Sequence, residues 1–370
     1  MIKVLHVYKS YYPVIGGVAN HIKVLCSEMA KNKDMNIEIL VVNQKMKSVN
    51  ETYEGIRVVR AGKVFELSST PISPSLYYWM KKLDPDILHL HFPFPPGELS
   101  ALLFDRSKKI VLTYHSDIVK QKNLLFFYRP FLRKILEKAK AIIASSPSYL
   151  STSSFLANFK NKVEIIPYGI DVSFFQKRDE EKIKEIKDRF RSPLILFVGM
   201  FRYYKGLQFL ISAAENVDAI FILVGTGEYE MELRNQVRDN KLENRVFFLG
   251  EVKDDDLPNY YQASDIFVLP STHRSEAFGI TQLEAMACGL PVISTELNTG
   301  TSFVNVDRRT GLVVPPSDAN SLISALNKIL SDQTLRRRFG EAGKKRVEQY
   351  FSKELMTQKI KGVYQKILKG

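Results

Sequence analysis

Glu276 and Glu284 stand in the stretch SEAFGITQLEAMACGLPVI (275–293), with seven residues between them. An apolar run at 265–271 reads as a strand before them. A helix is expected from about Ile280 through Ala287, stopped at Cys288-Gly289, where glycine supplies the usual left-handed residue. Glu276 then falls in the loop ahead of the helix, and Glu284 about one turn inside it. A diphosphate at the helix start would meet free N–H groups of Ala277, Phe278 and Gly279. The two carboxylates would accept hydrogen bonds from hydroxyls on either side of it, a sugar at one flank and a ribose at the other. The plainer reading is one N-terminal acid and one solvated helix residue.

Arg202 and Lys205, in FVGMFRYYKGLQFL (197–210), form the second constellation. They follow a strand pattern and precede a helical one. A helix N-terminus disfavours cations, so two of them there make sense if an anion lies between. Arginine grips phosphate with two N–H groups and lysine adds a point charge. Three further loops follow strand patterns. Gly16-Gly17, in YYPVIGGVANHI (11–22), leads into a helix whose N–H groups could receive an anion, although a tight turn needing glycine is the plainer reading. His115, in TYHSD (113–117), ends a strand, where a neutral imidazole can bond a sugar hydroxyl or simply be satisfied by its surroundings. Gly225-Thr226-Gly227 forms a turn that lets backbone approach a ligand, or merely turns.

Metal chemistry finds little support. Asp84-Pro85-Asp86 has the spacing of a metal-binding carboxylate pair, but it precedes a strand, the wrong end for a ligand crevice. Asp254-Asp255-Asp256 reads as a helix N-terminus. His89 and His91 share a strand face with no third ligand apparent.

Alternating strands and helices must position these residues. Apolar β-rich runs at 2–8, 37–43, 56–61, 86–92, 109–115, 141–145 and 163–167 form one series. Runs at 193–199, 219–225, 245–250, 265–271, 291–295 and 311–316 form another. Continuous apolar runs fit strands covered on both faces. The expected class is α/β with two Rossmann-like, doubly wound domains facing a central cleft, where ligands bind beyond the carboxyl ends of strands. The expected boundaries are 1–172, a linker at 173–192 whose charged part reads as linker or short surface helix, 193–350, and a final helix at 351–370. Cys26 and Cys288 lack metal spacing and fit a reducing compartment. The opening residues show no secretory h-region, and no apolar run approaches the roughly 20 residues of a membrane span.

Taken together and in order, GGVANH, TYHSD, IPYGID (166–171), RYYKG, GTGE, Glu-x7-Glu and LVVPPSD (312–318) resemble the retaining glycosyltransferases of family GT4, which have the two-domain GT-B fold. The resemblance spans nearly the whole chain. It implies that Glu276 and His115 meet the donor sugar, that Arg202 and Lys205 neutralise the pyrophosphate, and that Glu284 takes the ribose. It also implies that Gly17 brings backbone near the reacting centre, and that residues 225–227 with Val252 shape the base pocket. Many members carry an arginine where this chain has Met200, and Arg202 stands in for it. RYYKG and TELNTGTSFVN (295–305) further resemble bacterial surface-polysaccharide enzymes, which points to GDP-mannose, then a UDP-sugar, as donor and to a glycan or lipid-linked acceptor. The resemblance implies no cofactor and no required metal, and it brings the last helix back to the first domain. A sugar phosphorylase or synthase on the same fold is the nearer alternative. A basic nucleic-acid-binding protein is the distant one, without a recognisable motif, so no nucleic-acid partner is expected.

The charge bears on partners. Of the net +13, the first 170 residues carry +11 and the rest +2. Within VKQKNLLFFYRPFLRKILEKAKAI (119–142), Lys120, Lys122, Arg129, Arg133, Lys134, Lys138 and Lys140 alternate with Leu124, Leu125, Phe126 and Phe127. That pattern suits an anionic membrane surface, or equally a core helix with a solvated face. The expected location is cytoplasmic, with peripheral attachment to the inner face of the membrane.

Overall fold

A computed structural model describes residues 1–14, 16–67, 70–104, 108–118, 122–190 and 193–369, without the side chains of 122–125. The chain divides into two compact units. Met1–Gly169 with Lys353–Gly370 form the first, and Ile170–Ser352 the second.

The first unit is built on strands β1 (Ile2–Val7), β2 (Met35–Val42), β3 (Val49–Tyr53), β4 (Ile56–Ala61), β7 (Ile87–Phe92), β8 (Lys109–Tyr114), β9 (Ala141–Ala144) and β10 (Val163–Ile165), with β5 (Phe65–Leu67) and β6 (Thr70–Ile72) forming a separate hairpin. The large sheet runs β10-β9-β8-β7-β1-β2-β4-β3. It is parallel except for β3, which pairs antiparallel with β4 at one edge. The chain leaves β1 toward β2 on one side and returns through β7 on the other. The topological switch point therefore lies between β1 and β7, with Val4 paired to Ile37 and to Ile87. Burial on both faces explains the unbroken Val, Ile and Leu runs of β1, β2 and β7. The edge strand β3, Val-Asn-Glu-Thr-Tyr, is exposed and carries no such run, which is why its sequence gave no strand signal.

Helix Lys353–Lys369 packs on helix Gly17–Ala30 of the same unit. Met356, Ile360, Val363, Tyr364 and Ile367 are buried at three- and four-residue spacing, one stripe of a 3.6-residue helix. Full burial of each such side chain is worth about 1.5–3 kcal/mol.

The second unit holds β11 (Leu194–Val198), β12 (Ile220–Val224), β13 (Val246–Gly250), β14 (Ile266–Leu269), β15 (Val292–Thr295) and β16 (Gly311–Val314), ordered β13-β12-β11-β14-β15-β16 and parallel throughout. Its switch point lies between β11 and β14. Of the two readings of the charged segment 173–192, the helical one fits: helices Val172–Gln176 and Glu180–Phe190 occupy it and pack within the second unit, with Ile183 and Phe190 buried. Residues 191–192 fall outside the described residues.

In helix Lys122–Lys138, Phe126 and Phe127 are each 73% exposed, and Arg129, Arg133, Lys134 and nearby Lys140 face solvent. Lys138 does not join them. It turns inward to donate to the carbonyls of Ala101, Leu102 and Phe104 at 3.0, 3.2 and 2.7 Å. Lys120, and the side chains of Lys122, Leu124 and Leu125, fall outside the described residues. Among the described residues, no helix is long and apolar enough to cross a membrane.

Candidate active site

The crevice beyond the carboxyl ends of an open parallel sheet, at its switch point, is where such folds bind ligands. In the second unit the loops after β11 and β14 meet there. The Thr272 N–H donates to the Tyr204 carbonyl at 2.8 Å, tying the two loops together. This apposition brings the ammonium of Lys205 within 2.5 Å of Glu276 Oε2, although 71 residues separate them. Ser271 Oγ donates to the same oxygen at 3.1 Å. The Thr299 hydroxyl donates to the Glu276 carbonyl at 2.8 Å, fixing the backbone. Glu276 Oε1 takes no hydrogen bond among the described residues, so one carboxylate oxygen is held and the other left over.

Both partners are largely buried, with side-chain exposures of 13% and 10%. Burial pushes the Lys205 ammonium down, but the Glu276 carboxylate and Tyr204 together outweigh it and the net shift is upward. Lys205 therefore stays charged. Arg202, exposed three residues earlier, lies close enough to repel it. Arg202 has no ion pair among the described residues, so its charge is not matched by a carboxylate as that of Lys205 is.

Glu284 lies on helix Ile280–Ala287, whose N-cap, Gly279, is left-handed at φ +76°. The Tyr261 hydroxyl donates to Glu284 Oε2 at 2.7 Å, while Oε1 takes no bond among the described residues. Burial, with a lesser contribution from Asp254, raises this carboxyl to about 7, against the bond from Tyr261. Phe278 is buried and Ala277 half-buried. The Thr281 hydroxyl oxygen, in the first turn of the helix, is buried without a partner. The helix start thus combines a dipole end with a polar group that nothing among the described residues satisfies.

The loops after β12 and β13 close the other side. Gly225 has φ +130° and receives Gly199 so closely that a Cβ would sit 2.1 Å from its carbonyl oxygen. A Cβ on Gly227 would lie 2.3 Å from the Phe201 oxygen. This packing of one loop on another accounts for both glycines without a ligand. Thr226 reaches Glu251 at 3.4 Å, which sets half-buried Val252 beside the same turn. The sequence-selected residues of the second unit, from Arg202 to Glu284, thus gather at one sheet end.

In the first unit the outcome differs. Gly16 has φ 169°, extended backbone open to any residue, and a Cβ on Gly16 or Gly17 would meet nothing within 4 Å among the described residues. Neither strain nor crowding calls for glycine here, so the turn reading loses its basis and bare backbone faces open space at the helix start. His115 is not a free side chain at a strand end. It is 3% exposed, with Nε2 bonded to His91 Nδ1 at 2.9 Å and Nδ1 to the Tyr168 hydroxyl at 2.5 Å. His89 and His91 do not stand alone either. Parallel pairing sets His6 opposite His89, and His6, His21, His89, His91 and His115 are all buried together. The signal lay in strand order: His6 on β1 is adjacent to β7 only once the crossover is known. Asp84 is paired with Lys108 at 2.7 Å, and Asp86 accepts the Lys3 N–H at 2.9 Å, so both have structural partners.

Residues 15–174 match the model of Glycosyltransferase Family 4, and residues 176–346 that of Glycosyl transferases group 1. O-antigen chain mannosyltransferase C of Escherichia coli is 35% identical over 370 residues, 100% of this chain and 99% of that protein. D-rhamnosyltransferase WbpZ of Pseudomonas aeruginosa is 35% identical over 353 residues, covering 95% and 92%. Among solved structures, sucrose-phosphate synthase from Thermosynechococcus elongatus superposes with a TM-score of 0.83 at 22% identity, covering 100% of this chain and 99% of that one. Anabaena HepE in complex with UDP gives 0.81 at 20%, covering 99% and 100%. These likenesses, and the two switch-point sheets, establish that the chain is a GT-B hexosyltransferase belonging to glycosyltransferase family 4.

Proposed function

We propose that the protein transfers a hexose, with retention of anomeric configuration, from a nucleotide-diphospho-sugar to a hydroxyl of a glycan or lipid-linked acceptor in surface-polysaccharide synthesis. GDP-mannose is the favoured donor and a UDP-sugar the next. The observation that carries the reading is the Lys205–Glu276 pair at the switch point of the second sheet, with Arg202 and the start of helix Ile280–Ala287 beside it. The names of the relatives, a mannosyltransferase and a rhamnosyltransferase of O-antigen type, support the substrate class.

Departure of the diphosphate concentrates negative charge while the sugar takes on oxocarbenium character. Lys205 and Arg202 supply two positive charges, and the helix end supplies aligned N–H dipoles. This set stabilises the leaving group without a required metal. Such preorganised donors are worth about 10²–10³ in rate each. Glu276 Oε1 accepts from a hydroxyl of the transferred sugar, Oε2 being held by Lys205 and Ser271. Glu284 Oε1 accepts from the ribose.

The enzyme works at the inner face of the cytoplasmic membrane. Phe126 and Phe127 stand exposed on helix Lys122–Lys138, amid Arg129, Arg133 and Lys134. Exposed apolar side chains within a basic field suit an anionic bilayer.

A panel of nucleotide-sugars tested for thermal stabilisation, followed by NMR of the product anomer with the stabilising donor, tests the reading. GDP-mannose or a UDP-sugar should stabilise most, with an axial linkage retained. An inverted anomer would overturn retention, and phosphate-dependent cleavage would favour the phosphorylase.

A further inference from the structure

The buried histidines of the first unit have a definite geometry. His6 Nδ1 lies 3.0 Å from His91 Nε2, His91 Nδ1 lies 2.9 Å from His115 Nε2, and His115 Nδ1 lies 2.5 Å from the Tyr168 hydroxyl. The ring centroids of His91 and His115 are 5.2 Å apart with planes 11° apart. That separation exceeds the nitrogen separation by about one ring's width. The two rings therefore meet edge to edge in one plane, nitrogen facing nitrogen. His6 and His91 repeat this at 5.3 Å and 26°.

A metal fits this geometry poorly. His6, His89 and His91, or His21, His91 and His115, bring nitrogens within 4.8 Å of one another. His91, common to both sets, has both nitrogens engaged in line. Two nitrogens facing each other across a zinc ion would stand about 4 Å apart, twice the Zn–N distance. Hydrogen bonds fit instead.

Burial holds these rings neutral. It lowers His6 to about 3 and pushes His91 and His115 well below the usual histidine range, with neighbouring histidines adding to it. A neutral imidazole has one N–H and one bare nitrogen. In a row of such rings, one choice therefore dictates all the others. At the inner end His6 Nε2 is buried with no partner among the described residues. An unpaired buried N–H is rarer than an unpaired acceptor. The proton of His6 thus belongs on Nδ1, and the rest follow.

We propose that His6, His91 and His115 form one hydrogen-bonded row, each protonated at Nδ1, and that His6 and His91 are positioning residues that fix His115 as a donor through Nδ1. His6 donates to His91, His91 to His115, and His115 to the Tyr168 oxygen. On its Tyr168 side His115 therefore offers an N–H to an accepting oxygen, and no basic nitrogen. The positioning role rests on the reading of His115 as a contact to the donor sugar, while the shared tautomer stands independently of it.

The test is nitrogen-15 NMR of ring-labelled histidine in the full-length protein, read alongside the kinetics of variants. In the unmodified protein all three rings should show a protonated Nδ1 and a bare Nε2, unchanged from pH 5.5 to 8. His91→Phe should release the tautomer of His115 and lower kcat about tenfold or more, with the donor KM little changed. His91→Gln, which keeps polar atoms, should lie between. An Nε2–H on any of the three rings, or zinc bound stoichiometrically with the ring shifts of a ligand, would overturn the row, and neither readout depends on a variant folding. Wild-type turnover in His115→Ala would instead refute the site reading and the positioning role, leaving the tautomers intact. Full kcat in a folded His91→Phe, with His115→Ala inactive, would refute the positioning role alone.

Discussion

Glu284→Gln offers a quantitative check, because it replaces a titrating buried group with a neutral one of the same shape. In the folded protein the carboxyl is raised from 4.5 to about 7, chiefly by burial. The folded state therefore binds a proton more tightly than the unfolded chain. The stability contributed by the neutral form is fully present below pH 4.5 and is lost as pH rises through about 7. With those two limits, linkage gives about 2.5 kcal/mol lost between pH 5 and pH 8, at 1.36 kcal/mol per unit. Glutamine does not titrate, so its own cost, including an amide hydrogen without a partner, is the same at both pH values and cancels. For a unit of this size that corresponds to a melting shift of about 5–10 °C between the two pH values, present in the wild type and absent in the variant. Calorimetry of the whole chain reads it. The single tryptophan, Trp79, lies in the first unit, so a transition seen by calorimetry and missed by tryptophan fluorescence belongs to the second. Glu98 in the first unit is also raised to about 7 by burial, but it is common to both proteins and drops out of the comparison. Parallel pH profiles for the two proteins would refute the assignment of a neutral Glu284.

Other substitutions probe the remaining parts. Glu276→Gln should lower kcat about 10²–10³-fold with the fold intact by circular dichroism, and near-wild-type turnover would exclude it from the site. Gly225→Ala forces a Cβ toward the Gly199 oxygen at φ +130° and should destabilise the second unit by about 2 kcal/mol or more in urea unfolding. Phe126→Ser with Phe127→Ser should weaken flotation with vesicles containing anionic lipid while leaving transfer to a soluble acceptor unchanged, and unaltered flotation would refute the docking face.

The architecture was legible because parallel strands buried on both faces leave unbroken apolar runs, and every strand of the second sheet left one. The edge strand β3 and the hairpin β5–β6 left none, being short and exposed or half-exposed. In the second unit the residues of the candidate site could be picked out because loop chemistry is local: Arg202, Lys205, Glu276 and Gly279 each stand beside a strand or helix end. Their pairing could not, because the contact of Lys205 with Glu276 depends on β11 lying next to β14. The same limit hid the histidine row. His89 and His91 looked unpartnered because His6, His21 and His115 come from three other elements, which only strand order and the packing of helix Gly17–Ala30 bring together.

Calorimetric titration of GDP and UDP, with guanosine and uridine as references, tests most directly whether the diphosphate binds at the switch point of the second sheet. The proteins compared are the wild type and Lys205→Met/Glu276→Gln, a pair of changes that leaves no buried charge unpaired. The account predicts that one diphosphate binds the wild type at least tenfold more tightly than it binds the variant, while the matching nucleoside binds both alike. Equal affinity of both proteins for the diphosphate would contradict it.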